Sequence, residues 1–460
     1  MSTIQARPVH PADLSTPPTG DTVSRDPIAR IVAGSVLTGL VGALLLTLVV
    51  FAGATEHVIT GSALVAFATG WTMLAVLSTR MSSQPQRWAF VPAGAMGTVG
   101  TALLLLAPGD DALRTMGWLW PAPVLALAVW IALASRRHLQ SRTRAWLLYP
   151  VVAFLALGAV GGGYETVQLS LDRRSYAMPG QSYDVGGHRL HLNCTGTGSP
   201  TVVLANGLGE TSPEWAWIAT ALAADTRVCA YDRAGQGWSE NAAGPQDGAA
   251  IAADLHTLLE RAKEPGPYVL VGHSSGGPYA MTYAARYPNE VAGLVLLDAT
   301  SPEAFTVLPS FPSTYSVMRR LLGVAPSLSR LGLGQLVNAS AGETLPAPAN
   351  AQARAFATSP RNLRSQRDEH SQLPAALTQA RALTDLGGKP LAVVTAGEGQ
   401  QAGWSAAQVR MAALSTNSSH RVAPATHVSL LTDKSDSSYS VGAIGDVVRS
   451  VRTGSPLPTS

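Results

Sequence analysis

The first third of the chain is written in long apolar runs. Ile31 to Ala52, Gly61 to Ser78, Trp88 to Ala107, Trp118 to Ser135 and Trp146 to Gly163 each carry no charged side chain. Runs of roughly 18 to 22 residues, at 1.5 Å per residue, match a hydrocarbon core of roughly 30 Å, so five transmembrane helices are expected. Glycines and prolines inside them, such as Gly94, Gly97 and Pro121, suit close helix packing in lipid better than an aqueous helix interior.

From Ser182 the pattern changes to short β-type runs alternating with amphipathic helical stretches, which predicts a mostly parallel sheet covered by helices on both faces. Eight strands are expected: Ser182–Val185, His188–Cys194, Thr201–Ala205, Arg227–Tyr231, Tyr268–Val271, Gly293–Leu297, Leu391–Thr395 and His420–Ala423. Helices are expected at Trp215–Ala224, Ala249–Ala262, Gly276–Arg286 and Ala443–Val451. The chain then divides into an unfolded tail (1–30), a membrane region (31–163), a linker (164–181), a second domain (182–454) and a short tail (455–460).

Composition agrees with that division. Only 13% of the 460 residues are charged, against roughly 25% in soluble domains, while the apolar share is an ordinary 46%. The net charge of +3 comes from arginines in short loops, and no lysine precedes Lys263, so nucleic acid is a poor partner. Arginine placement orients the spans, because positively charged loops stay in the cytoplasm. Arg25 and Arg30, then Arg80 and Arg87, then Arg136, Arg137, Arg142 and Arg144 mark cytoplasmic segments, whereas Glu56, His57, Asp110 and Asp111 mark external ones. Five spans therefore place everything after Gly163 outside the cytoplasm of a multi-pass cell-membrane protein.

Chemistry enters at Gly272-His273-Ser274-Ser275-Gly276, which runs from the apolar strand Tyr268–Val271 into a small-residue helix. Such a G-x-S-x-G turn exposes the serine Oγ at the tip of the sheet and aims the helix N-terminus at developing negative charge. Flanking glycines are needed because a side chain there clashes with the turn.

With this elbow, two further motifs make residues 182–452 resemble the α/β-hydrolase superfamily, in its serine esterase, lipase and peptidase branch. One is Tyr231-Asp232-Arg233-Ala234-Gly235-Gln236-Gly237-Trp238-Ser239, similar to the loop these proteins place after the fourth strand. The other is Asn206-Gly207-Leu208-Gly209, where the family usually shows His-Gly. The resemblance implies an eight-stranded fold with a helical cap, and an oxyanion hole built from the N–H groups of Leu208 and Ser275. The exchange of His for Asn leaves open which side chain shapes that loop.

It further implies the order Ser, acid, His. Ser274 is the expected nucleophile and His427, in Ala425-Thr426-His427-Val428 after the last strand, the expected base. The acid has two candidates. The usual loop after the seventh strand reads Gly397-Glu398-Gly399-Gln400, with glutamine at the standard position, and Asp298 follows the sixth strand, where some branches keep their acid. Asp298 is favoured and Glu398 is the alternative. His273 is read as a packing residue beside the site, and His370 and His420 as structural.

About ninety residues, 300–389, separate the sixth and seventh strands, far more than one connection needs, and read as a cap. Ser316–Leu322, Ala351–Ala357 and Pro374–Leu386 are its expected helices. Leu321, Leu322, Leu331, Leu333 and Leu336 are candidates for an acyl pocket or for ordinary helix packing. Cys194 and Cys229 fall on strands that neighbour each other in the family's sheet order, so either a disulfide or two buried thiols fits. Their number and spacing indicate no metal site, and no cofactor is implied.

The expected activity is hydrolysis of a lipid-like or small-molecule ester, or an amide, through an acyl-enzyme. The competing reading is a non-catalytic hydrolase-fold binding module on a membrane anchor. A transporter is disfavoured because the spans hold no ionisable residue to mark a pathway.

Overall fold

A computed structural model describes residues 27–139, 146–340 and 344–458. Of the tail expected to lack a fold (1–30), residues 1–26 lie outside the described ones, as do Arg142 and Arg144, and Ile28 to Arg30 already belong to the first helix.

Among the described residues, four helical stretches are long and apolar enough to cross a membrane: Ile28–Val50, Glu56–Met81, Arg87–Leu106 and Tyr149–Ser175. Pro121–His138 makes a fifth when it is joined to the short helix Asp110–Met116, from which it is bent by 54°. The expected fourth span thus starts three residues late, because Pro121 opens the helix at a position where its missing N–H costs nothing. The helices pack backbone to backbone. A Cβ added to Gly70 would stand 2.6 Å from the carbonyl of Ser35, and one on Gly100 2.8 Å from that of Gly61, so only glycine allows these crossings.

The expected linker is mostly helix. Tyr149–Ser175 continues through 27 residues and stops after Arg173 and Arg174, whose charges suit a helix C-terminus. Only 176–180 remain as connection before the sheet.

The eight strands are β1 Gln181–Asp184, β2 Arg189–Thr195, β3 Thr201–Ala205, β4 Val228–Tyr231, β5 Tyr268–His273, β6 Val291–Leu297, β7 Leu391–Ala396 and β8 Ser418–Ala423. Their order is β1-β2-β4-β3-β5-β6-β7-β8; β1 and β2 run antiparallel and the remaining pairs are parallel, except that β2 is also antiparallel to β4. Strands β3, β4, β5 and β7 are buried at every residue, as a parallel sheet covered on both faces requires. In register, Ala205 pairs Gly272, His273 pairs Leu297 and Leu297 pairs Val394, so the C-terminal ends of β3, β5, β6 and β7 share one edge. His420 lies inside β8 rather than at its start, bonded to Thr395. Cys194 on β2 and Cys229 on β4 face each other in register and form a disulfide.

Between β6 and β7 the cap contains the helices Ala304–Val307, Phe311–Arg330, Leu333–Ser340, Ala349–Ala357 and Pro360–Ala380. The last of these differs most from expectation. It begins at Pro360, capped by the Ser359 side chain, carries Pro374 in its interior and ends before Leu386. The C-terminal tail is docked as far as it is described: Leu457 is buried and its N–H donates to Asn417.

Candidate active site

The elbow sits where β5 ends. Ser274 has φ +53°, a left-handed conformation that costs a non-glycine residue about 1–3 kcal/mol and is kept only where its surroundings enforce it. Enforcement is visible: Ser274 N–H donates to Leu297 O (3.2 Å), and its own carbonyl accepts from Thr300 N–H (2.9 Å) and Gly277 N–H (3.2 Å). Gly276 lies against the carbonyls of Ala205 and Asn206, so a Cβ there would drive β3 and the elbow apart.

One strand over, Asp298 repeats the device. It follows β6 at φ +42° and is tied to β7 by its N–H, which donates to Val394 O (2.7 Å). That turn points a buried carboxylate along the sheet edge. Its Oδ1 accepts from Trp404 Nε1 (2.7 Å) and Ala396 N–H (3.1 Å), and its Oδ2 accepts from His427 Nδ1 (2.6 Å). Burial pushes the carboxyl pKa up, but the bonds from His427 and Trp404 outweigh it and hold the group below its ordinary 3.8. Gln400, at the place where the family usually carries its acid, donates weakly to this same carboxylate. Glu398, the alternative acid, is exposed, and its N–H joins Ala425 O.

His427 is partly exposed. With Nδ1–H committed to Asp298, its Nε2 carries the lone pair, which is the arrangement a general base for a serine hydroxyl needs. Between the elbow and the loop of His427 the link is His273. That ring packs on His427 with centroids 4.5 Å apart, and its Nε2–H donates to the carbonyl of His427 (2.9 Å).

His273 is therefore more than the packing residue expected. Its Nδ1 donates to Glu210 Oε1 (2.6 Å), and Glu210 Oε2 accepts the N–H of Gly207 in the loop after β3. Burial pulls the His273 pKa down, but Glu210 and the carbonyl of His427 raise it above its ordinary 6.5. Burial likewise pushes Glu210 up, and His273 brings it below its ordinary 4.5. The pair couples the loop after β3 to the loop that carries His427. Glu210 was missed from sequence, although an acid directly after Asn206-Gly207-Leu208-Gly209 was the available signal. Trp404 gave none.

The loop question raised by Asn206 has an answer in these contacts. Asn206 Nδ2 donates to Tyr231 O (2.9 Å), and its Oδ1 accepts Trp215 Nε1 (2.7 Å). Arg233 donates to the carbonyls of Asn206 (2.6 Å) and Gly207 (2.9 Å) while paired with Glu369 of the cap (2.8 Å), both side chains being buried. The backbone of 206–207 is thereby fixed close to the N-terminus of the helix Gly276–Arg286, which Ser275 caps. Among the described residues, neither the Leu208 nor the Ser275 N–H donates to another backbone group.

With this geometry established, comparison places the fold. The model for the α/β hydrolase fold matches residues 200–434, just over half of the chain. The chain belongs to the α/β hydrolase family. An uncharacterized protein of Schizosaccharomyces pombe is 35% identical over 191 residues, 35% of each chain. A 2-hydroxymuconate semialdehyde hydrolase of a Pseudomonas species is 30% identical over 152 residues, 32% of this chain and 54% of that enzyme. The chain thus spans between about a third and a half of such relatives. The crystal structure of a variant of aCif covers 62% of this chain and 96% of its own, at 16% identity and a TM-score of 0.51, a likeness of fold.

Proposed function

We propose that this α/β hydrolase is a membrane-anchored serine hydrolase that cleaves carboxylic esters through an acyl-enzyme. Ser274 Oγ attacks the acyl carbon as His427 Nε2 takes its proton. Asp298 keeps the imidazole in the tautomer with Nδ1–H and stabilises the imidazolium, and the N–H groups of Leu208 and Ser275 hold the oxyanion. His427 returns the proton to the leaving alcohol, and a water repeats the sequence to release the acid. The observation that carries the reading is the Asp298–His427 bond at 2.6 Å, on the sheet edge where Ser274 stands in its left-handed elbow.

Anchoring rests on the apolar helices, and an extracytoplasmic hydrolase domain on the arginine-bearing loops, with the Cys194–Cys229 disulfide suited to an oxidising compartment. A fluorophosphonate probe tests the chemistry. The wild type is expected to label and to cleave short acyl esters, and Ser274→Ala to lose the label and at least about 10⁴-fold of the rate. A folded wild type that neither labels nor cleaves would leave the binding-module reading in its place.

A further inference from the structure

The cap helix Phe311–Arg330 presents an apolar stripe that the protein itself does not cover. Val317, Leu321, Val324 and Leu328 recur at steps of four and three, so they fall on one side of the helix. Val317 is 55% exposed, Leu321 54% and Leu328 39%, and on the next helix Leu333 is 42% and Leu336 69% exposed. Three of the leucines considered for an acyl pocket therefore face outward; Leu322 alone is buried in the helix, and Leu331 lies against the membrane helices.

What covers the stripe follows from where the helix lies. Its other side, with Leu322, Gly323, Pro326 and Ser329 buried, crosses the ends of three apolar helices. Arg320 Nε donates to Leu48 O (3.1 Å), Ser327 bonds Thr60 (2.7 Å), Gly323 lies against Gly53, and Leu331 against Gly158 and Gly161. Beside these contacts the membrane helices are themselves exposed and apolar, at Val49, Val50 and Phe51 on one and at Leu157, Val160 and Tyr164 on another. The exposed apolar surface of those helices thus adjoins the cap helix that carries the stripe. An uncovered patch of this extent does not persist in water, and an amphipathic helix with Arg319 and Arg320 on its flank suits the boundary between acyl chains and headgroups.

The same helix reaches inward. Phe311 and Tyr315 pack with Phe305, Leu308 and Trp404, and the Trp404 indole holds the Asp298 carboxylate. One cap helix therefore touches the apolar helices on one side and, on the other, the apolar cluster that ends at the triad acid.

We infer that this edge of the cap is immersed in the leaflet on the hydrolase side, and that the substrate is an acyl ester resident in that leaflet rather than one dissolved in water. The substrate class rests on the hydrolytic reading above; the immersion does not. Both native cysteines are in the disulfide, so an engineered cysteine can be labelled alone. In protein reconstituted into phosphatidylcholine vesicles, a fluorophore on Leu321→Cys or Leu336→Cys is expected to be quenched by nitroxide-bearing lipids. One on Arg449→Cys, exposed on the last helix, is not. Equal quenching at the three positions overturns the immersion. In the second arm, the Val317→Ser/Leu321→Ser double variant is expected to lose about tenfold or more of its rate on diacylglycerol in vesicles, two apolar side chains having left the lipid. Its rate on a water-soluble acetyl ester should stay nearly unchanged. Equal loss on both esters overturns the substrate class. A wild type that cleaves neither ester yet shows the quenching removes the hydrolytic reading and the substrate class with it, while the immersion stands.

Discussion

In the hydrolase domain the buried carboxylates are answered from within: Asp298 by His427 and Trp404, Asp232 by His191 and the Ser212 N–H, Glu369 by Arg233. In the apolar helices Glu56, Asp110 and Glu165 are as deeply buried, but their partners come from elsewhere. Arg330 of the cap binds Glu56 (2.5 Å) and Asp110 (2.9 Å), and Gln335 of the cap donates to Glu165 (2.8 Å). A buried carboxylate without a partner is costly, so the bundle of apolar helices is complete only with the cap seated on it. The helices and the cap thus behave as one electrostatic unit.

The contrast breaks first, and most severely, at the internally satisfied site. Asp298→Asn keeps the shape but removes the charge that fixes the His427 tautomer, and kcat on a short acyl ester should fall about 10⁴-fold. Glu398→Gln, an exposed change, should stay within about twofold of wild type in the same assay. Reversed outcomes would move the acid to the loop after β7.

Next in size is the borrowed partner. Arg330→Ala leaves two buried carboxylates facing each other and is expected to destabilise the protein by about 3–5 kcal/mol, read as a lowered thermal midpoint in detergent. Adding Glu56→Gln and Asp110→Asn removes the stranded charges and should recover much of the loss. No recovery would mean that Arg330 acts through packing alone, and the bundle's dependence on the cap would lose its electrostatic basis.

These two sites also differ in how far they could be read in advance. The left-handed turn at Ser274 and the meeting of Asp298 with His427 were legible as geometry because each stands just past a strand end: small residues around the elbow, an aspartate after β6 and a histidine after β8. Strands β3 to β7 were legible for a similar reason, since continuous apolar runs between turn residues leave little choice. Arg330 was not legible, because nothing local marks an arginine at the end of an amphipathic helix as the counter-ion of residues more than two hundred positions away. The helix through Pro374 failed for another reason. Proline argues locally for a break, and tertiary packing of Leu373, Ala376 and Leu377 overrides it. In the linker, Glu165, Asp172, Arg173 and Arg174 end the apolar run, but none of them breaks a helix, so the helix begun at Tyr149 runs on to Ser175.

The smallest expected effect separates a polar contact that serves position from one that serves charge. His273 donates from both ring nitrogens, to Glu210 and to the carbonyl of His427, which makes it an imidazolium facing a carboxylate. Its folded pKa is raised above the ordinary 6.5, so its share of stability is complete below that value and is lost as pH rises through the folded pKa. Glu210 is lowered from its ordinary 4.5, so its share is complete above that value and is lost as pH falls through the folded pKa. Glu210→Gln should therefore cost most, about 1.5–3 kcal/mol, between roughly pH 4.5 and 6.5, the gap from wild type narrowing on either side. Thermal midpoints of both proteins across about pH 4 to 9 give the answer. A gap that stays flat over that range would mean that the pair shares no charge and only holds the two loops in place.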